Sequence, residues 1–145
     1  MSKPSDMLDN PDAGSYFGPV ISTYTRDQAH LDGNLVDVGA MAGEAGFRWP
    51  VSLTAAAWAD CVAWSEDDSR RQTAQDESGR LWDVLFMAAY AIRIAAGCGD
   101  RLLFPLYRVP RDGLTTSAQE VTLKLVVGPG DAGEEVVTIM LPGED

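Results

Sequence analysis

His30 is the single histidine of the chain, and it lies in "ISTYTRDQAHLDGNLVDV", residues 21–38, between two strand-like runs. Metal binding asks for several nitrogen, sulfur or carboxylate donors at close spacing, and no second His or neighbouring Cys accompanies it. Nucleophilic catalysis asks for a Gly-x-Ser-x-Gly elbow or a Cys paired with a His, and neither pattern occurs. His30 therefore reads as a solvent-exposed turn residue. Arg26, Asp32 and Asp37 surround it and form the polar group through which a small enzyme would handle a nucleotide or protein substrate.

The carboxylates are the remaining source of acid–base chemistry. Asp32, Asp37, Asp60 and Asp83 adjoin hydrophobic segments where burial would raise their pKa values, but no spacing pairs any two of them. Asp83 interrupts an almost continuous apolar run, and a buried carboxylate there would need an arginine such as Arg48 or Arg93. Glu66, Asp67, Asp68, Asp76 and Glu77 flank Arg70 and Arg71 in a polar stretch. They lack the spaced oxygen ligands and central glycine of a calcium loop and read as solvated charge. "GPGDAG", from residue 128, joins two strands instead of opening a helix and has no Lys-Ser or Lys-Thr, so it is a hairpin turn and not a phosphate loop. Cys61 and Cys98 are the two cysteines. Each sits in an apolar helix-like segment without metal-ligand neighbours, as buried free thiols do. No cofactor and no metal site is expected.

These residues must be positioned by elements that the hydrophobic pattern outlines. Residues 1–18 mix Pro, Asp, Ser, Asn and Gly with few apolar anchors, and a flexible arm is expected there. "PVISTY" reads as a strand. Thr25 would cap a short helical turn over "RDQAHLDG", which Gly33 would close, and "NLVDV" is a second short strand. "MAGEAG" suits one more helical turn. In "LTAAAWADCVAW" Leu53, Ala57, Cys61 and Trp64 recur at helical spacing. Residues 65–79 contain no large aliphatic or aromatic side chain and read as an exposed, mobile connection.

"RLWDVLFMAAYAIRIAAG", from Arg80, is apolar almost all round, which predicts a buried central helix ended by Gly97 or Gly99. "RLLFPLYRV" is a strand whose Pro105 places it at an edge or bulge. "VTLKLVV" alternates with the two-residue period of a half-buried strand, and "VVTIML" is its hairpin partner. The whole is an α+β fold: a mainly antiparallel sheet of about five strands with two helices packed on one face, formed by residues 19–145 as a single domain.

A chain of 145 residues is one domain's length, able to bury roughly 70% of its unfolded surface. No run reaches a membrane span and the N-terminus lacks a secretory apolar core, so a cytoplasmic protein without a membrane partner is expected. Eleven Lys and Arg against 22 Asp and Glu give a net charge of −11. Such a field repels phosphate backbones and disfavours direct nucleic-acid binding, while a protein partner with a basic surface would be attracted.

The strings "VISTYTRDQAHLDGNLVDV", "AGFRWPVSLTAAAWADCVAW", "RRQTAQDESGRLWDVLFMA" and "DRLLFPLYRVPRDG", with the hairpin that follows, resemble an uncharacterised bacterial protein family over residues 19–145. That family, a domain of unknown function, is associated with plasmids, integrative elements and prophage regions. The resemblance implies a setting and no reaction: small accessory proteins of mobile elements counter host restriction or CRISPR defence, or serve plasmid upkeep. Charge and setting together make a non-enzymatic acidic interaction protein the first expectation, one that inhibits a host nucleic-acid-binding defence protein by mimicking nucleic-acid charge in the anti-restriction or anti-CRISPR manner. Glu66, Asp67, Asp68, Asp76, Glu77, Arg26 and Asp32 are its candidate binding residues, and a homodimer is compatible with it. The small enzyme built on the first strand–turn–strand is the alternative.

Overall fold

A computed structural model describes residues 24–95 and 99–145. The expected arm, nearly all of the "PVISTY" strand, Gly97 and Cys98 lie outside them, and Tyr24, the last residue of that string, is not in a strand. In chain order the elements are α1 (Arg26–Leu31), β1 (Leu35–Asp37), α2 (Gly39–Ala45), β2 (Val51–Thr54), α3 (Ala55–Cys61), α4 (Glu66–Arg71), α5 (Glu77–Ile94), β3 (Arg101–Arg108), β4 (Gln119–Pro129) and β5 (Glu135–Met140).

The α+β expectation holds. The described strands form one mixed, mostly antiparallel sheet in the order β1-β2-β5-β4-β3, with β2 and β5 its parallel pair. β3 lies at an edge, where Pro105, opposite Thr122, costs the ladder least. Val51, Leu53, Phe104, Leu106, Leu123, Leu125, Val137 and Ile139 point to one face, because alternate residues of a strand share a side. There they meet Ala42 of α2, Ala57 and Cys61 of α3, and Leu81, Val84, Leu85 and Ala88 of α5 in one core. Three helices, where two were expected, thus cover that face. α1 packs on the reverse, where it reaches Ser52 and Thr138.

Three sequence expectations are corrected. Leu53 belongs to β2 and not to a helix, and the helix begins only at Ala55, where the Thr54 hydroxyl caps the Ala57 amide. A short buried apolar run carries no periodicity to tell strand from helix. The polar stretch 65–79 is not an open connection, since α4 forms within it. Ser65 and Asp68 make a reciprocal capping box, with acids in the first turn and arginines in the last, and these local terms stabilise a helix that has no hydrophobic stripe. α5 starts at Glu77, with Asp76 as its cap, and it is not buried all round. Leu85 is 0% exposed, whereas Trp82, Phe86 and Tyr90 are 38%, 47% and 45% exposed. A helix lying on a single sheet is covered on one side only.

Candidate interaction surface

The reverse face of the sheet carries the first polar group. Thr25 caps α1 through the Gln28 amide, and the free amides of Arg26 and Asp27 donate to the two oxygens of Asp131, at 2.8 and 3.0 Å, from the β4–β5 turn. Those two backbone bonds hold the Asp131 carboxyl below its usual range. The Arg26 guanidinium crosses to β5, donating to Thr138 Oγ1 at 2.8 Å and to the Val137 carbonyl at 3.0 Å. Burial pushes its pKa down, against the opposing pull of Asp131, Asp37 and Glu134.

Asp32 is exposed and accepts from the Tyr24 hydroxyl and from the Gln28 side-chain Nε2, while Asp37 accepts from the Gly39 backbone amide. Arg26 and Asp32 therefore face different partners. His30 is half-buried and not an exposed turn residue: its Nε2 lies 2.7 Å from Ser52 Oγ. The sequence could not foresee this, because the pair depends on α1 folding over β2.

The second group sits on and after α4. Glu66 and Asp67 are exposed, and Asp67 lies within 3.3 and 3.5 Å of Arg70 and Arg71. Asp68 is buried instead of solvated. Burial pushes its carboxyl up, but bonds from Ser65 and the Arg111 guanidinium, at 2.7 Å, outweigh that and leave it below the ordinary range. Asp76 accepts from the Gly79 amide and Glu77 from the Trp64 amide. Of the five acids, Glu66 and Asp67 are thus the ones whose carboxylates accept no backbone amide among the described residues.

A model of a family of unknown function, DUF6573, matches residues 15–145. The chain belongs to that family. No curated protein and no solved structure shows detectable similarity to it.

Elsewhere in this DUF6573 chain, Asp83 is exposed on α5 and pairs with neither Arg48 nor Arg93. Partial burial raises its pKa, opposed by the nearby Arg80 charge. Asp60 instead pairs with Arg108 at 2.9 Å. Cys61 is buried, and loss of solvent pushes its thiol up to about 12, as for a buried structural cysteine. Among the described residues no three His, Cys, Asp or Glu side chains gather as metal ligands, and no helix is long and apolar enough to cross a membrane.

Two features escaped the sequence reading. One is an open apolar cavity of about 590 Å³ between Phe47, Trp49, Ile92, Leu102 and Val127, with Arg101 and Glu135 at its rim. The other is the exposed face of α5. Its signal was present, since Trp82, Phe86, Tyr90 and Ile94 recur every fourth residue, but an apolar helix surface reads as core until the layer count is known.

Proposed function

We propose that this protein is an interaction module whose acidic surface binds a basic, nucleic-acid-binding protein and competes there with phosphates, in the anti-restriction or anti-CRISPR manner that a mobile-element setting would call for. One observation carries the reading. With 22 acids against 11 bases, carboxylates such as Asp27, Asp32, Glu66, Asp67 and Glu134 stand on open surface, while the large cavity is lined mostly by apolar side chains, with Asp100, Arg101 and Glu135 as its charged members. Catalytic carboxylates converge on a cleft; carboxylates spread over a convex surface make a field that steers a basic partner. The enzyme alternative would rest on Arg26, Asp32 and Asp37. Two of the Arg26 guanidinium donors are taken by β5, while Asp32 accepts from Tyr24 and the Gln28 side chain and Asp37 from the Gly39 backbone, so the three share no common ligand position.

The test passes the heparin-binding fraction of a bacterial lysate over the immobilised protein and follows the kinetics of whatever is captured. Binding should weaken steeply between about 0.05 and 0.5 M NaCl and be displaced by duplex DNA, because exposed charges are screened beyond about 8 Å at physiological ionic strength. Glu66→Lys with Asp67→Lys should slow association about three- to tenfold with the fold intact. Asp68 is left unchanged because it holds α4 together. Salt-independent capture, or kinetics indifferent to both changes, would move the working surface elsewhere.

A further inference from the structure

Trp82, Phe86, Tyr90 and Ile94 stand one helical turn apart on the outward face of α5, all exposed, with Asp83 near one end and Arg93 near the other. The apolar stripe runs about 18 Å along the axis at 1.5 Å per residue. A helix on a water-facing surface ordinarily turns polar residues outward. The order of side chains on this one is symmetric: Trp82 and Ile94 are equidistant in sequence from Ala88, as are Asp83 and Arg93, and as are Phe86 and Tyr90. In an isologous two-fold contact residue i of one copy meets j of the other and j meets i, so an axis level with Ala88 would bring the oppositely charged Asp83 and Arg93 together twice.

We propose that the outward face of α5 docks on the same face of a second copy, the two helices antiparallel about a two-fold axis level with Ala88. Phe86 of each copy then meets Tyr90 of the other, Trp82 meets Ile94, and Asp83 lies within reach of Arg93. Charge decides the direction. Parallel helices would set Asp83 beside Asp83 and Arg93 beside Arg93, whereas the antiparallel pair joins opposite charges twice. Neither residue forms an ion pair with another described residue.

Four large side chains with their rim cover on the order of 500 Å² per copy, the low end for a specific interface, so association in the range of tens of micromolar is expected. The −11 charge of each copy opposes approach at long range, and added salt should therefore tighten the dimer. That is the reverse of the salt dependence expected for a basic partner, so the two readings stand or fall separately.

Sedimentation equilibrium of the full chain, from about 5 to 500 μM, brackets that range. Asp83→Arg sets two guanidinium groups against each other and Arg93→Asp sets two carboxylates; each alone should raise Kd about tenfold. The double variant should restore it, and a mixture of the two single variants should form heterodimers in preference to either homodimer. Phe86→Asp should leave a monomer with an unchanged circular dichroism spectrum. A wild-type monomer throughout, a dimer that survives Phe86→Asp, or single charge variants that the double variant fails to rescue would overturn the proposal.

Discussion

Arg80 carries its charge into the interior, and among the described residues no carboxylate pairs with it. Its guanidinium lies 4.5 Å from the centre of the Trp64 ring and donates to the carbonyls of Val62 and Val109 and to Gln75. Nη2 finds no acceptor among the described residues. Burial lowers the pKa of such a group, and it stays folded in because three loop segments end on it. Arg80→Ala should cost about 3 kcal/mol in urea denaturation, since two buried carbonyls lose their donor. Arg80→Lys should recover only part of this, because an ammonium cannot reproduce the planar fork. Asp68 is the converse case, an acid whose bonds lie inside. Asp68→Ala should lower the melting temperature by several degrees, while Glu66→Ala should leave it nearly unchanged. Nothing in the string "SEDDSRR" separates these two acids except the position of Asp68 three residues after a serine, which is the capping-box signal.

At the scale of elements, α5 divides into two faces whose consequences differ. Leu85→Ala should cost about 2–5 kcal/mol through lost burial and a cavity, whereas Phe86→Ala in the dilute monomer should cost under about 1 kcal/mol; thermal denaturation compares them. The β4–β5 hairpin, the edge position of β3 and the existence of α5 were legible because each is long and strongly patterned. Four-residue β2 was not, because Val51, Ser52 and Leu53 are all buried and show no alternation. α4 was not legible either, since caps and not periodicity make it. Of the site residues, Arg26, Asp32 and Asp37 are close in the chain, but the structure gives each its own partners. The sequence could not show that Asp131, from a turn more than a hundred residues away, would satisfy the α1 amides.

The whole molecule is acidic enough for pH to act on it twice. Lowering pH from neutrality toward the isoelectric point, about 4.3, removes self-repulsion and should hold or raise stability. Below that, carboxyls that the fold keeps ionised turn against it. Bonds from the Thr115 hydroxyl and the Thr115 and Leu114 amides hold Asp112 down to about 2, and Asp131 and Asp68 are also depressed. A carboxyl with a lowered folded pKa stabilises above its unfolded value, near 4, and loses that contribution as pH falls through its folded value. The melting temperature should therefore drop between about pH 4 and pH 2, and Asp112→Asn should make that drop shallower. An unchanged slope would mean that other carboxyls govern acid unfolding.

The position of β5 between β2 and β4 also sets a timetable. The β1–β2 half of the sheet has no neighbour on its open side until Val51 can align with Val137, and closing so large a separation is slow compared with forming the β3–β4–β5 meander. A growing chain makes the early half first, yet that half must wait for the last strand to emerge before its edge is satisfied. During that interval β2, with Val51 and Leu53 uncovered, is an open edge onto which another strand can pair.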